Sequence, residues 1–295
     1  MKEAQTYATA RAFRQALEVR LQERAKRGGL VLERLRKQVA FDRFLARMFP
    51  PQSNSAGWVL KGGYALELRF LHARATKDID LTLSSGIITA ATVQDQRIAL
   101  RDHIRRFAAH ALPDFFEFLI GTATLDLDGA PEGGFRFPVD AVMDGRRFAR
   151  FHVDIGVGDA TEPPLEILEG RDWLAFAGIP KPQFVAVSRE QQWAEKFHAY
   201  TRPRENRVNT RTKDLVDLVL LINLGELSSV RLSYCVTTTF NRRATHPIPT
   251  SVLPPPPEWK SVFARLAIEG GIEPDLTRAF LALSEFWQSL STALR

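Results

Sequence analysis

Cysteine is nearly absent from this 295-residue sequence, and so are long apolar runs. The single cysteine, Cys235, excludes an internal disulfide and a zinc site built from several thiolates. No stretch approaches the roughly 20 apolar residues of a membrane helix, and the start, MKEAQTYATARAFR, lacks the apolar centre of a secretory signal. We therefore expect a soluble, cytoplasmic protein that does not use a membrane. The six histidines show no paired metal-ligand spacing, and we interpret them as structural or surface residues: His72, His103, His110, His152, His198 and His246.

Positive charge is concentrated near the N-terminus. The chain has a net charge of +6, but residues 1–50 alone contain twelve lysines and arginines against five aspartates and glutamates. Most of these cations fall on two predicted helices, and such a face is ordinarily only solvated surface. Beside a nucleotide-handling site, the same charge would suit a polyanion such as RNA. Both interpretations stay open.

Apolar periodicity predicts a helical pair at the N-terminus, with stripes at Phe13, Leu17 and Leu21 and from Leu32 to about Phe49. Strand patterns and further helices follow. In chain order we predict a loop at 50–55, a strand at 58–60, helices at 64–70 and about 89–112, and strands at 79–83, 116–120, 122–127, 135–142 and 148–157. Hairpin turns are indicated by the segments Asp128-Gly129 and Asp144-Gly145-Arg146. This half is typical of a mixed or antiparallel sheet with flanking helices.

Beyond Pro180 and Pro182 the pattern becomes mainly helical. Ser188, with Gln191 three residues later, forms a capping box that opens a helix running to Thr201. Further helices are predicted at 210–224, 230–242, 259–268 and 276–294. We therefore expect an N-terminal lobe, 1–183, led by the basic helical pair, and a mainly helical C-terminal lobe, 184–295.

Two aspartates, Asp78 and Asp80, stand two positions apart on a predicted strand and so point their carboxylates to the same side. Clustered carboxylate oxygens, with substrate phosphates, are the ligands that Mg²⁺ prefers, and Mn²⁺ accepts the same ligands. The position of the pair sharpens this weak signal. Gly62 and Gly63 precede a short helix, so backbone N–H groups there can approach phosphate oxygens without an intervening Cβ. The two glycines could also form only a turn.

One segment resembles the first motif of the AbiEii/AbiGii toxin family: KGGYALELRF…RATKDIDL. Later family motifs match in order, namely FHVDI around Asp154, EQQWAEKFHA around Lys196, and TKDLVDL with Asp214 and Asp217. The agreement covers about residues 58–221, and it is most similar to the MenT toxins of mycobacterial MenA–MenT pairs. The resemblance implies an α+β fold: a polymerase-β-like nucleotidyltransferase mixed sheet with flanking helices, plus a mainly helical C-terminal lobe.

The resemblance also implies roles for individual residues. Asp78 and Asp80 would ligate magnesium, Lys196 would bind the triphosphate of an NTP, and Asp217 or Asp214 would orient the lysine, the nucleotide or the acceptor. Phosphoryl-group transfer needs neutralised phosphates and an acceptor hydroxyl held in line, which these groups can provide. The remaining nucleotide contacts implied by the motif are Lys61, Gly62, Gly63, Thr76 and Lys77.

Several of these residues have ordinary alternatives. Asp154, with His152 on the same face, is our candidate for a third metal-binding carboxylate, but it could instead cap a turn at Gly156. Lys196 could be a solvated helix lysine. Asp214 could only stabilise the dipole of its own helix.

The family motif leaves other positions open. Arg69 and Lys77 fit a phosphate contact or a salt bridge, and Thr76 could contact the nucleotide or only begin a strand. The third position after the motif lysine is often Ser or Thr in this family, whereas here it is Tyr64. A tyrosine is too large to repeat a small hydroxyl's contact with a phosphate, so we assign Tyr64 no role. The backbone of Gly63 could still make that contact.

By resemblance, the protein would transfer a nucleoside monophosphate from an NTP to RNA, with the tRNA 3′ end as acceptor. Blocking that end would stop aminoacylation and translation, which describes a toxin restrained by a cognate antitoxin. The same site could instead modify a protein or a small molecule, by nucleotidylation or as a kinase. In a third hypothesis, the chain is a non-catalytic scaffold whose basic helices bind RNA.

Overall fold

Strands and helices alternate in the first half of the chain, and helices dominate after residue 188. The computed structural model describes residues 6–50, 57–70, 73–127, 130–204 and 209–293. The helices are α1 (Ala10–Gly28), α2 (Leu32–Met48), α3 (Gly62–Arg69), α4 (Val93–Ala108), α5 (Arg189–Thr201), α6 (Thr212–Leu224), α7 (Ser229–Arg243), α8 (Lys260–Glu269) and α9 (Leu276–Ala293). The strands are β1 (Trp58–Lys61), β2 (Asp78–Leu83), β3 (Glu117–Ile120), β4 (Leu125–Asp126), β5 (Gly134–Met143), β6 (Arg146–Val157), β7 (Glu166–Glu169) and β8 (Gln183–Ala186).

The chain forms two structural units that are each discontinuous in sequence. The first unit comprises Met1–Tyr64, Lys77–Gly158 and Ile167–Ala186. The second comprises Ala65–Thr76, Asp159–Glu166 and Val187–Arg295. The chain therefore passes from the first unit to the second within α3 and returns just before β2.

The first unit is built on a mixed sheet with the strand order β3-β5-β6-β2-β1-β8-β7. Strand β4 pairs with the first residues of β5. The long β5–β6 hairpin turns at Asp144 and Gly145, which both have positive φ. On β5, alternate residues from Phe135 to Met143 are buried, which is the two-residue period of a strand with one face on a core. β2 pairs in parallel with β6 and antiparallel with β1.

Helix α2 brings two arginines into the core of the first unit. Arg43 and Arg47 lie one turn apart, and both donate to Asp114, at 2.6 Å from Arg43 Nε and 2.7 Å from Arg47 Nη2. The Asp114 side chain is fully buried. A charge in this position is tolerated only because it is paired and hydrogen-bonded.

The second unit has its own aromatic core. Trp193 and Phe197 of α5 stack with ring centroids 4.7 Å apart, and Phe197 lies 4.3 Å from the ring of Trp287 in α9. The Ser188 hydroxyl accepts a hydrogen bond from the backbone N–H of Gln191, so Ser188 caps the start of α5 as predicted. The Gln191 side chain donates to the Thr239 hydroxyl instead of closing the reciprocal half of a capping box.

Most predicted elements are confirmed, with four corrections. The helix expected at about 89–112 is limited to Val93–Ala108, and the strand expected at 122–127 is reduced to Leu125–Asp126. Strands β7 and β8 were not predicted, because each has only four residues and so gives too short an apolar pattern. Three predicted features lie outside the described residues: most of the loop at 50–55, the turn at Asp128-Gly129, and His72. Among the described helices, none combines the length and apolar character needed to cross a bilayer.

Removing the carboxylate of Asp114 should strongly destabilise the first unit. Asp114→Ala leaves two buried guanidinium groups without their shared partner, a change that typically costs about 3–5 kcal/mol. Asp126→Ala is the matched control, because it breaks only the solvent-exposed ion pair with Arg97 and should cost under about 1 kcal/mol. Denaturant unfolding followed by circular dichroism measures both, and equal losses would contradict the buried network.

Candidate active site

Three carboxylates project from neighbouring strands on one side of the sheet. Asp78 and Asp80 lie at the start of β2 and are half-buried, whereas Ile79 and Leu81 point into the core. β6 runs beside them in parallel, and Asp154 lies level with Asp80. Asp154 is in the interior of β6 and pairs with strands on both sides, so it does not cap a turn.

The glycine turn between β1 and α3 lies directly against Asp80. Gly62 has a φ of +66°, and a Cβ at this position would lie 1.9 Å from Asp80 Oδ2. The backbone N–H of Gly63 donates to the same oxygen at 3.3 Å. Lys61, the last residue of β1, pairs with Asp80 across the strands. A glycine at position 62 is therefore required both by the backbone angle and by the approach of the carboxylate.

Arg136 lies among the three carboxylates. Its Nε and Nη2 each donate to Asp154 at 2.7 Å, and Nη2 also donates to Asp78 Oδ2 at 3.2 Å. The hydrogen bonds that Arg136 donates to Asp154 raise the pKa of Arg136 above its ordinary value, so the side chain is a permanent cation. Arg136 was not predicted from the sequence. Its place between Phe135 and Phe137 shows only that it faces away from the core.

Asp78 and Asp80 have the donor chemistry to hold a divalent cation. Mg²⁺ is usually bound by one or two carboxylates plus substrate phosphates, which fits this pair better than a closed cage. Within the described ranges, no group of three or more His, Cys, Asp or Glu side chains is placed to enclose a metal. Asp154 accepts one hydrogen bond on each oxygen from Arg136, so a metal held by Asp154 as well would lie beside a guanidinium cation.

The second unit brings Lys196 together with the two predicted aspartates of α6. Lys196 Nζ lies 2.6 Å from Asp217 Oδ2 and 3.4 Å from Asp214 Oδ1. Arg74 completes the group by donating two hydrogen bonds to Asp217, at 2.9 and 2.7 Å. Asp214 also pairs with Arg211 at 3.5 Å. Arg74 had not been singled out from the sequence, since its partner is 143 residues away.

Charge pairing fixes the protonation of this buried group. Burial by itself raises the pKa of Asp217, but Lys196 and Arg74 outweigh it and hold the pKa below its ordinary value. Burial likewise lowers the pKa of Lys196, yet Asp217 and Asp214 raise it overall. Both partners are therefore ionised at neutral pH. With its side chain only 10% exposed, Lys196 is not the solvated helix lysine considered as an alternative.

The remaining motif positions have defined surroundings. Arg69 is buried and forms an ion pair with Glu166 at 3.0 Å, which favours the salt-bridge alternative for this residue. The backbone N–H of Thr76 donates to the Glu67 carboxylate. Lys77 is exposed immediately before β2. A contact of Thr76 or Lys77 with nucleotide stays a prediction.

Tyr64, which departs from the family motif, is a core residue. Its hydroxyl donates to Asp42 Oδ1 at 2.6 Å. Asp42 also accepts hydrogen bonds from the Arg171 backbone N–H at 2.8 Å and from Trp173 Nε1 at 2.9 Å. Burial raises the pKa of Asp42 to about 6 against the opposing effect of these donors. Asp42 of α2 thus joins Tyr64 of α3 to the segment around Trp173.

Comparison with known proteins decides the family. Residues 43–283 match the family described as "Nucleotidyl transferase AbiEii toxin, Type IV TA system". The chain belongs to this AbiEii family. The match spans every candidate site residue from Lys61 to Asp217, and it confirms the resemblance seen in the sequence motifs.

A solved structure of a nucleotidyltransferase toxin shares the fold of this AbiEii chain. The chain is similar to MenT4, a nucleotidyltransferase toxin from Mycobacterium tuberculosis H37Rv, with a TM-score of 0.55 and 17% identity over 95% of this chain and 97% of that chain. It also matches JHP933 from Helicobacter pylori, with a TM-score of 0.46 and 14% identity over 88% and 93% of the two chains. No curated protein matches the sequence. The likeness to MenT4 confirms the predicted nucleotidyltransferase fold.

Alanine at position 62 should abolish toxicity. The added methyl group would collide with the Asp80 carboxylate, so the turn or the aspartate must move. Gly145→Ala is the control, because Gly145 has a similar φ of +63° with nothing within 4 Å of the added Cβ, and it should cost only about 1 kcal/mol. Growth inhibition on induced expression, with thermal unfolding of both proteins, measures the difference. A toxic, folded Gly62→Ala protein would refute the proposed importance of this contact.

Lowering the pH should reduce the thermal stability of the wild type more steeply than that of Asp217→Asn. The pKa of Asp217 is held below the value of about 3.9 expected in an unfolded chain, so its ionised form stabilises the fold above that pH. The contribution is lost as the pH falls through the lower, folded-state pKa. Thermal midpoints between pH 2 and 7 for wild type, Asp217→Asn and the exposed-site control Asp126→Asn test this. Identical acid limbs for the two variants would argue against the pairing.

Proposed function

We propose that this AbiEii toxin transfers a nucleoside monophosphate from an NTP to RNA, with the 3′ end of tRNA as the acceptor. Nucleotidyl transfer and toxicity follow from membership of the family, whereas the acceptor and the metal are proposed. The observation that carries it is the Asp80 carboxylate set against the Gly62-Gly63 turn in a chain of this family. Addition of a nucleotide to that end would block aminoacylation and hence translation.

Asp78 and Asp80 hold Mg²⁺, or Mn²⁺, in this proposal. The ion supplies neutralisation of phosphate charge during the transfer. Asp154 is the third candidate ligand, with the Arg136 guanidinium beside it. The Gly62-Gly63 backbone offers N–H groups to phosphate oxygens, as helix N-termini commonly do. The nearby positions proposed to contact nucleotide are Lys61, Thr76 and Lys77.

Lys196 is the proposed triphosphate-binding residue. Asp214 and Asp217 keep its ammonium charged and fix its direction, since both carboxylates lie within 3.4 Å of Nζ. Arg74 in turn holds Asp217 in place. A rigid, permanently charged lysine suits the binding of phosphate as a point charge.

The proposed reaction is a single displacement at phosphorus. The acceptor's terminal hydroxyl oxygen bonds to the α-phosphorus, the bond from that phosphorus to the pyrophosphate breaks, and the hydroxyl proton is released. The exposed cations of α1 suit RNA as the polyanionic acceptor, namely Arg20, Arg24, Lys26 and Arg27. In contrast, Arg43 and Arg47 of α2 are buried in the core. A cognate antitoxin is the proposed partner that restrains the activity in the cell.

Labelled nucleotide should appear in tRNA when the purified protein is incubated with Mg²⁺, total tRNA and each of the four NTPs in turn. Asp80→Asn should lower incorporation at least a hundredfold, equivalent to about 3 kcal/mol of transition-state stabilisation. Asp126→Asn, which removes an exposed carboxylate of the same unit, should behave as wild type.

Each alternative has its own outcome in this assay. Absence of label in tRNA with all four NTPs would overturn the proposal. Label on proteins or small molecules, with tRNA unlabelled, would show that those molecules are the acceptors. Growth inhibition and RNA binding that both survive Asp80→Asn would indicate a non-catalytic RNA-binding scaffold.

A further inference from the structure

A cleft of about 610 Å³ lies in the first unit, between the C-terminal half of α1 and the segment around residue 173. We call it the arginine cleft, after the exposed Arg20, Arg24 and Arg27 that line it. At 100° per residue these arginines fall within about 60° of one another on the helix. The buried Phe13, Leu17 and Leu21 lie on the same and the adjoining side of α1, and Leu17 and Leu21 form part of the cleft wall, so packing of these residues fixes where the arginines begin.

Aromatic rings orient two of the guanidinium groups. Arg20 lies 4.2 Å from the ring centroid of Phe176, and Arg24 lies 4.6 Å from that of Trp173. Trp173 is itself held by its hydrogen bond to the buried Asp42. Each guanidinium therefore has one face on a ring, and the arginine side chains are exposed to solvent.

The charge of the cleft is not neutralised by the protein. In the part of the chain that the structure describes, neither Arg20 nor Arg24 has a carboxylate within ion-pairing distance, and Arg20 donates only to the carbonyl of Ala16. Arg27 pairs with Glu23 at 3.6 Å, but both side chains are largely exposed. Asp172 is the one acidic residue among those lining the cleft. A ligand that complements the positive charge of the arginine cleft is therefore an anion.

We propose that the arginine cleft binds a single-stranded segment of RNA, with nucleobases stacked on the guanidinium planes of Arg20 and Arg24. Unpaired bases stack on arginine planes as they do on aromatic rings, while duplex bases are not accessible. Arg20 and Arg27 are separated by about 10 Å along the helix axis, which suits successive backbone phosphates better than one terminal phosphate group. The inference rests on the proposed function only in taking RNA as the acceptor.

Binding can be measured without catalysis. A fluorescent single-stranded RNA of 12 nucleotides is titrated with the full chain in EDTA, and anisotropy is recorded at several salt concentrations. Arg20→Gln/Arg24→Gln should weaken binding at least tenfold and make the salt dependence shallower by about 1.4 in slope, because two positive charges that neutralise the RNA backbone are removed. Arg11→Gln/Lys26→Gln is the control: it removes the same charge from other faces of α1 and should change affinity less than threefold.

A second pair of variants separates stacking from charge. Arg20→Lys/Arg24→Lys keeps both positive charges but not the planar groups, so the salt slope should be retained while affinity falls about fivefold or more. Circular dichroism checks that every variant is folded.

Three outcomes would overturn the inference. Equal losses in the cleft and control pairs would mean general attraction to a basic helix. Equal affinity for duplex RNA would exclude base stacking. Displacement of the RNA by ATP, at the concentration at which the RNA itself binds, would make the cleft a site for free nucleotides. Because no transfer is measured, RNA binding here can fail while incorporation into tRNA persists, and the reverse holds as well.

Discussion

The contact between the Asp80 carboxylate and the Gly62-Gly63 turn is the constraint on which the active-site arrangement depends. Lacking a Cβ, Gly62 lets the backbone pass within van der Waals distance of the carboxylate, and the Gly63 N–H then fixes one oxygen. Antiparallel pairing of β1 with β2 holds the turn at that level, and parallel pairing of β2 with β6 brings Asp154 alongside. A slip of one residue in either register would turn these acids towards the core.

The two acidic groups differ in their surroundings. In the first unit, Arg136 pairs with Asp78 and Asp154 at the edge of half-buried strands, and the Asp78 and Asp80 oxygens suit a divalent cation. In the second unit, Lys196, Arg74 and Arg211 pair with Asp214 and Asp217. That group is stable in the core without a metal, and its lysine is held rigidly.

Local patterns were sufficient to predict most elements, because helix stripes such as Phe13-Leu17-Leu21 and the Ser188 N-cap depend on neighbours a few residues apart. The candidate acids and Lys196 were recognisable from motif order combined with the family resemblance. Arg136 and Arg74 were not, since their roles depend on strand register and on partners far away in sequence. The strands β7 and β8 also depend on distant pairing more than on their own composition.

Position 64 illustrates how a motif residue can be reassigned. Where the family commonly has a small hydroxyl residue, this chain has Tyr64, whose ring fills the core. Its hydroxyl is one of three hydrogen-bond donors to Asp42, and the indole N–H of Trp173 is another. Grafting the usual serine into this chain would leave a ring-sized void and take a donor from a buried acid. A chimaera that exchanges this motif between family members must therefore also exchange the residues that face positions 42 and 173. The motif and this part of the core depend on each other for packing and hydrogen bonding.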